Sequence, residues 1–376
     1  MKFETLLLHQ NKKQNRTIKS KITPIYQTSA FTFNDLDELE GFYQGNGNYL
    51  YSRVGNPNTD ELGETVASLE DAPAGVASSS GLSAVLAGVL AVVKSGDHIV
   101  AADDLYGGSF HLIKEELNDF GITVTMVPFA DMTQVEKAIQ SNTKLLYTES
   151  ITNPMLRVEN IEAVVALAKK YELTTLVDNT FATPYHCKPY ILGIDLVVHS
   201  ATKYFGGHSD VTAGVLVGKG ALIEKAAAKI TNLGTNLSPF EAWLTCRGLK
   251  TLALRMKEQS ANAKKLAEAL RNHDLIKKTY YPFEYGEDGF GAIVTIELQD
   301  TVDINEFFRQ LSWVKIAPTL AGIETIVTHP LTTSHRALPP EAQIELGITK
   351  GVIRISVGIE SVDDIINVFT TALEKS

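Results

Sequence analysis

The sequence predicts an α/β fold of two lobes, and three observations lead there. Short apolar runs alternate with stretches of helical periodicity from about residue 59 onward. These runs are apolar at nearly every position, as strands of a parallel sheet covered on both faces are. A chain of 376 residues also exceeds what one hydrophobic core usually holds, about 250–300 residues.

Residues 1–50 are polar and rich in Gly and Asn around 41–48, with the apolar patch Pro24-Ile25-Tyr26 between. They are expected to form an extended arm lying on another surface. Helices are expected at 59–70 and 82–94, a strand at 98–102, a helix near 109–119 and a strand at 122–127. A strand at 144–148 follows, then an amphipathic helix at 158–171 built on Val158, Ile161, Val164, Val165 and Ala168, then strands at 174–177 and 195–199. Residues 220–272 read as long and helical. Beyond them, strands at 291–298 and 352–357 alternate with helices at 303–311 and 361–374, which predicts a second lobe of α+β type. The division expected is an arm at 1–50, a larger lobe at 51–235 and a C-terminal lobe at 236–376. No internal repeat is visible.

A net charge of −10 with no block of Lys and Arg argues against a nucleic-acid partner and favours small molecules. The two cysteines, Cys187 and Cys246, lie far apart and in no metal-ligand spacing, which fits a reducing cytoplasm and gives no disulfide framework or zinc site. The start, Met1 to His9, has a short apolar run with an early acid and is not expected to be a signal peptide. No run approaches the roughly 20 apolar residues that cross a bilayer, so no membrane partner is expected.

In open α/β sheets ligands bind outside the carboxyl ends of strands, so residues that follow apolar runs are the ones to inspect. Ser200-Ala201-Thr202-Lys203 follows one such run: the lysine could form a Schiff base with an aldehyde cofactor, and the two hydroxyls could hold a phosphate. A surface lysine in a Gly-rich turn is the plain alternative. Asp178 ends the run at 174–177, where a carboxylate could pair with a pyridinium nitrogen or, alone, cap a helix or bind a metal. Ser78-Ser79-Ser80-Gly81-Leu82-Ser83 precedes an apolar helix, whose free N–H groups suit a phosphate as well as an ordinary cap. Tyr106-Gly107-Gly108 could stack its ring on a planar cofactor or simply pack. Arg354 is a charge inside the apolar strand Ile353-Arg354-Ile355-Ser356-Val357, suited to a substrate carboxylate or a structural ion pair. His208, His329 and His335 have no ligand spacing, and no metal is expected.

Six blocks in order resemble the Cys/Met-metabolism PLP-dependent enzymes, the cystathionine γ-synthase, γ-lyase and β-lyase group: Tyr51-Ser52-Arg53-Val54-Gly55-Asn56-Pro57, Asp104-Leu105-Tyr106-Gly107-Gly108, Val177-Asp178-Asn179-Thr180-Phe181, His199-Ser200-Ala201-Thr202-Lys203-Tyr204, Arg247-Gly248-Leu249-Lys250-Thr251-Leu252 and Arg354-Ile355-Ser356-Val357-Gly358. The resemblance covers nearly the whole chain. It implies a fold type I enzyme using pyridoxal 5′-phosphate (PLP), with 51–235 as the PLP-binding domain. Lys203 would be the Schiff-base lysine and proton carrier, Asp178 the partner of the pyridinium, Tyr106 the ring stacked on it and an aid to proton transfer. Ser200, Thr202, Gly81 and Leu82 would hold the phosphate and Asn153 would lie near the ring hydroxyl. Arg354, with Asn153 and Thr319, would contact the substrate. Tyr51 and Arg53 would reach a neighbouring subunit's phosphate, so the site would need a dimer, and tetramers are common in the family.

The resemblance also bears on the reaction. Pro318 stands where cystathionine γ-synthases and γ-lyases usually carry a glutamate, Leu50 where many γ-lyases carry an acid, and Gly108 where methionine γ-lyases carry a cysteine. The stretch Ile323-Glu324-Thr325-Ile326-Val327-Thr328-His329-Pro330 resembles bacterial cystathionine β-lyase-type members. The expected activity is a carbon–sulfur lyase acting on cystathionine or a related thioether in sulfur amino-acid metabolism. The alternatives are γ-replacement (cystathionine γ-synthase or homoserine-ester sulfhydrylase), methionine γ-lyase, and a catalytically silent PLP-binding relative.

Overall fold

The apolar runs become strands because burial on both faces rewards Val, Ile and Leu at every position. The computed structural model describes residues 1–9, 20–46, 49–336 and 340–376. Seven strands form the larger sheet: β1 (Ala74–Ser78), β2 (His98–Ala102), β3 (Thr123–Val127), β4 (Thr143–Glu149), β5 (Thr174–Asp178), β6 (Leu196–His199) and β7 (Gly214–Gly218). Their order is β1-β7-β6-β5-β4-β2-β3; the β6-β5-β4-β2-β3 stretch is parallel, and β7 runs antiparallel to both β1 and β6. The five parallel strands match runs expected from the sequence. β1 and β7 do not: Ala74-Gly75-Val76-Ala77 carries little strand propensity and forms a strand through its surroundings, and the apolar run Val215-Leu216-Val217 of β7 is only three residues long between Gly214 and Gly218. Gly63 in the helix Pro57–Leu69 lies so close to β1 that a methyl group there would stand 2.6 Å from the Gly75 carbonyl oxygen.

The second sheet has the order β10-β11-β12-β9-β8, with β8 (Ile276–Tyr280), β9 (Ile293–Leu298), β10 (Lys315–Ile316), β11 (Ile326–Thr328) and β12 (Val352–Ser356). It is antiparallel except where β10 joins β11. The helical stretch expected at 220–272 is three helices, Gly220–Leu233, Pro239–Leu249 and Leu252–Leu270, the first two separated by Gly234 in a left-handed conformation and by Pro239 at a helix start.

Each sheet has its own hydrophobic core. The helix Leu252–Leu270 belongs to both: Leu252, Ala253 and Met256 face the first core, whereas Ala263, Leu266, Ala267 and Leu270 face the second. The changeover therefore falls inside this helix, later than the 235/236 division expected from pattern. Of the expected arm, 10–19 and 47–48 lie outside the described residues. Phe3–Leu8 is a helix that buries Leu7 in the first core, and Leu36–Tyr43 is a second helix, so this segment is not wholly extended. Among the described residues no helix is long and apolar enough to cross a membrane.

The helix Gly81–Val92 is apolar on most of its surface because it is sandwiched between the sheet and the helix Gly220–Leu233. Its starting point is fixed by a close approach: a methyl group on Gly214 would overlap the carbonyl oxygen of Ser80 and stand 2.8 Å from Ser78 Oγ. Gly214→Ala is therefore expected to cost about 1–3 kcal/mol in urea unfolding. Gly220→Ala, whose added carbon meets nothing within 4 Å, should leave stability unchanged or slightly raised. Equal losses in the two variants would contradict this packing.

Candidate active site

Parallel strands all end at the same edge of a sheet, so their terminal polar residues collect there. β4, β5 and β6 end on Glu149, Asp178 and His199. After β6, Ser200 N–H donates to Thr180 Oγ1 (2.8 Å) and Lys203 N–H to the Ser200 carbonyl (3.0 Å), a tight turn that sends Lys203 back over the strand ends. A cavity of about 600 Å³ opens above this edge. Lys203, Asp178, Tyr106, Gly81, Leu82, Ser200, Asn153, Arg354 and Thr319 all line it. Nine positions scattered from 81 to 354 in the sequence thus share one space.

Lys203 Nζ donates to Thr319 Oγ1 (3.1 Å) and forms no ion pair among the described residues. Burial, followed by the nearby Arg354 charge, lowers its pKa to about 8. Asp178 is shifted the other way. Burial raises it, while the Thr180 N–H (2.9 Å) and His199 partly offset the rise.

Arg354 is buried on β12, only 3% exposed, yet its partners are all neutral. One terminal nitrogen donates to Asn153 Oδ1 (3.0 Å), the other to the Thr319 carbonyl (3.0 Å) and Thr328 Oγ1 (3.2 Å), and Nε has no partner among the described residues. Burial brings even this guanidinium down to about 10. A buried cation lacking an anion is costly, and a ligand carboxylate would supply the missing charge.

The helix Gly81–Val92 points its N-terminus into the same space. Ser80 and Ser83 form a reciprocal capping box, with Ser83 N–H on Ser80 Oγ (3.1 Å) and Ser80 N–H on Ser83 Oγ (2.8 Å). The amides of Gly81 and Leu82 are first-turn donors with no acceptor among the described residues. Ser200 packs against Gly81 so closely that a Cβ there would stand 2.7 Å from the serine Cβ, which sets its hydroxyl beside these amides. Two free amides, a hydroxyl and a helix dipole make an anion cradle.

Three expected site residues lie elsewhere in the chain's own fold. Thr202 does not line the cavity; its hydroxyl donates to the Ala213 carbonyl (3.2 Å) and accepts from the Ala213 N–H (3.0 Å). Tyr51 and Arg53 are exposed, with the guanidinium 5.5 Å from the Tyr51 ring and donating to the Thr231 carbonyl (3.3 Å). His208, His329 and His335 make turn hydrogen bonds, to the Gly206 carbonyl, to Thr332 and the Lys350 carbonyl, and to Ser334. Sequence reasoning missed Glu149, a buried carboxyl on the cavity wall. The signal that finds it is the one that finds Asp178, an acid closing an apolar run, with the strand extended one residue past the expected 148.

An aldehyde-bearing heterocycle with a basic ring nitrogen and a phosphate needs an amine, a carboxylate, an aromatic face and an anion cradle. Lys203, Asp178, Tyr106 and the Gly81 corner offer these four, so the residues present fit that group. The larger sheet and this donor set define a PLP-dependent enzyme of fold type I. Solved structures share the arrangement over the whole chain. Cystathionine γ-lyase from Lactobacillus plantarum, complexed with L-serine, superposes with a TM-score of 0.93 at 37% identity, covering 100% of this chain and 99% of that one. Cystathionine γ-synthase from Xanthomonas oryzae pv. oryzae, in complex with cystathionine, gives 0.93 at 33% identity, covering 100% and 98%. Cystathionine β-lyase of Lactococcus lactis subsp. cremoris is 39% identical over 99% of both chains. The family model for Cys/Met metabolism PLP-dependent enzymes matches residues 4–374, and the chain belongs to that family.

The Lys203 shift has a measurable consequence. Between the folded value near 8 and the ordinary lysine value of 10.5, the unfolded chain holds a proton that the folded one lacks. Stability therefore rises with pH across that window. Cofactor-free wild type is expected to gain stability relative to Lys203→Met as pH rises through it, measured by urea unfolding. A difference that stays flat with pH would show that the amine is not desolvated.

Proposed function

We propose that the chain is a carbon–sulfur lyase that opens a thioether amino acid by elimination, with Lys203 as the amine that holds the cofactor and carries the proton. The observation that carries this reading is one cavity lined by a depressed amine, a carboxylate at the next strand end and a buried guanidinium lacking a countercharge. The Lactococcus and Lactobacillus relatives are lyases, which supports elimination; the Xanthomonas relative is a synthase.

When bound, PLP supplies a protonated ring that takes up the electron pair left at Cα. In this reading Asp178 would pair with the ring nitrogen and Tyr106 would stack on the ring, Asn153 would lie by the ring hydroxyl, and Gly81, Leu82 and Ser200 would hold the phosphate. Thr202, whose hydroxyl is taken up by Ala213, lies outside this set. Arg354 binds the amino-acid carboxylate, with Asn153 and Thr319 beside it. Lys203, steadied by Thr319 Oγ1, removes the proton from Cα and returns it to the sulfur as the C–S bond breaks, with Tyr106 assisting. The sulfur departs as a thiol, and the remaining fragment hydrolyses to a 2-oxo acid and ammonia.

The exposed Tyr51 and Arg53 are proposed to reach the phosphate of a neighbouring subunit, which makes a dimer the smallest complete unit and a tetramer of two dimers the expected assembly. Residues 51–235 are proposed as the PLP-binding domain, and the two free cysteines suit a cytoplasmic setting.

Three outcomes test this reading. Incubation with cystathionine, methionine, homocysteine or cysteine should release a 2-oxo acid without an added thiol. Product that appears only as a new thioether from an acylated homoserine plus thiol would establish replacement instead. Arg354→Ala should raise KM for the amino acid by about tenfold or more, with KM measured against PLP-saturated enzyme. Lys203→Ala and Arg53→Ala, each inactive alone, should recover activity when their subunits are mixed, at about a quarter of wild-type sites. Mixing without recovery would refute the shared site.

A further inference from the structure

Glu149 is a second buried carboxyl at the strand ends. It closes β4 directly beside Asp178, its partner in the parallel register with β5, and is only 4% exposed. Both acids line the same cavity. Arg157, the guanidinium that acts on Glu149, is already committed to Asp104 and Glu159. Two neighbouring carboxyl groups in a buried site do not both ionise, so one keeps a proton.

The surroundings decide which one. Asp178 has the Thr180 N–H and the His199 ring to favour its charge. Glu149 is raised well above the usual carboxyl range by burial and then by Asp178 itself; the Tyr106 N–H offsets part of the rise, and Asp104 and Arg157 act more weakly in opposite directions. Tyr147, two residues earlier on β4, is raised as well and adds no positive charge.

Glu149 is also the hydrogen-bond partner of the aromatic wall. Its Oε1 accepts the Tyr106 backbone N–H at 2.7 Å. Tyr106 leads into the helix Gly107–His111 and has little freedom there. A methyl group on Gly107 would overlap the Ser334 carbonyl oxygen, and one on Gly108 would stand 2.6 Å from the Tyr106 ring. Two residues upstream, Asp104 is gripped by both Nε and a terminal nitrogen of Arg157, at 2.7 and 2.8 Å.

We propose that Glu149 is a positioning residue: as a neutral carboxylic acid it fixes the Tyr106 backbone, and with it the ring, on the cavity wall, while Asp178 carries the charge of the pair. The consequence for catalysis rests on Tyr106 facing the cofactor ring, as in the proposed lyase; the protonation of Glu149 does not.

Infrared difference spectra of the holoenzyme at neutral pH, wild type against Glu149→Gln with glutamate carboxyl carbons isotope-labelled, should show a protonated-carboxyl band that shifts with the label and is missing in the variant. Glu149→Ala should lower kcat/KM by roughly tenfold, as expected for an unpartnered buried amide, and Glu149→Gln should recover most of that loss because an amide oxygen still accepts the N–H. Where Glu149→Ala does not fold, Glu149→Gln and Glu149→Asp decide: the shorter acid should be the more impaired. Absence of the band, or a glutamine variant no better than the alanine or aspartate variant, would overturn the proposal. A carboxyl band in a wild type without lyase turnover would support Glu149 as described and count against the lyase reading alone.

Discussion

Burying charge without an internal partner of opposite sign is the constraint on which this structure turns. Lys203 and Arg354 are cations held by neutral oxygens, from Thr319, Asn153 and Thr328. Asp178 is a carboxylate held by the Thr180 N–H, beside Glu149 on the Tyr106 N–H. The two cations and Asp178 face one cavity, and no ion pair joins them among the described residues. Each such charge costs several kcal/mol to desolvate, against a typical net stability of about 5–15 kcal/mol. A site built this way binds a ligand that carries both signs, as an amino acid and a phosphorylated heterocycle together do.

The scaffold that imposes this arrangement is rigid where the charges sit. Parallel register places Glu149 beside Asp178, and close backbone approach at Gly81 and Gly214 fixes the first turn of the helix Gly81–Val92. The second sheet contributes Arg354 from β12, whereas the loop that carries Thr319 packs Leu320 and Ala321 into the first core, so the site depends on how the two cores meet. The helix Leu252–Leu270 joins them through side chains. Arg255 donates to the Tyr204 carbonyl beside Lys203 (2.7 Å) and to the Gly248 carbonyl (2.9 Å). One turn further, Gln259 holds the carbonyls of Gly322 (2.8 Å) and Val357 (3.1 Å), next to the Thr319 loop and β12. The turn of the lysine and the loop that hydrogen-bonds its amine are thus tied to one helix.

Strands buried on both faces leave a strong trace in a sequence, and most of the site is legible through them. Asp178 and Lys203 are marked by the apolar runs before them, and Arg354 by the run it interrupts; all three reach the cavity. Glu149 obeys the same logic, but the apolar pattern of β4 fades at Thr148, and the acid that closes the strand carries no mark of its own. β1 is hidden because its small residues meet Gly63, a tertiary demand that leaves no periodic trace, and β7 because its apolar run spans only Val215-Leu216-Val217 between Gly214, which meets Ser80, and Gly218. Thr202 resembles a phosphate ligand by adjacency to Lys203, yet its hydroxyl is turned to Ala213. Tyr51 and Arg53 are marked by family resemblance alone, and in the single chain they stand apart from the cavity. Propensity and spacing within one chain contain no information about a second copy.

In the proposed lyase the Asp178 carboxylate and the Lys203 amine serve the same ring. Nitrogen-15 NMR of the holoenzyme, loaded with PLP labelled at the ring nitrogen, reads this pairing. A protonated ring nitrogen is expected in the wild type and loss of that proton in Asp178→Asn, with Lys203 intact in both. A ring nitrogen whose protonation is the same in the two proteins would contradict it.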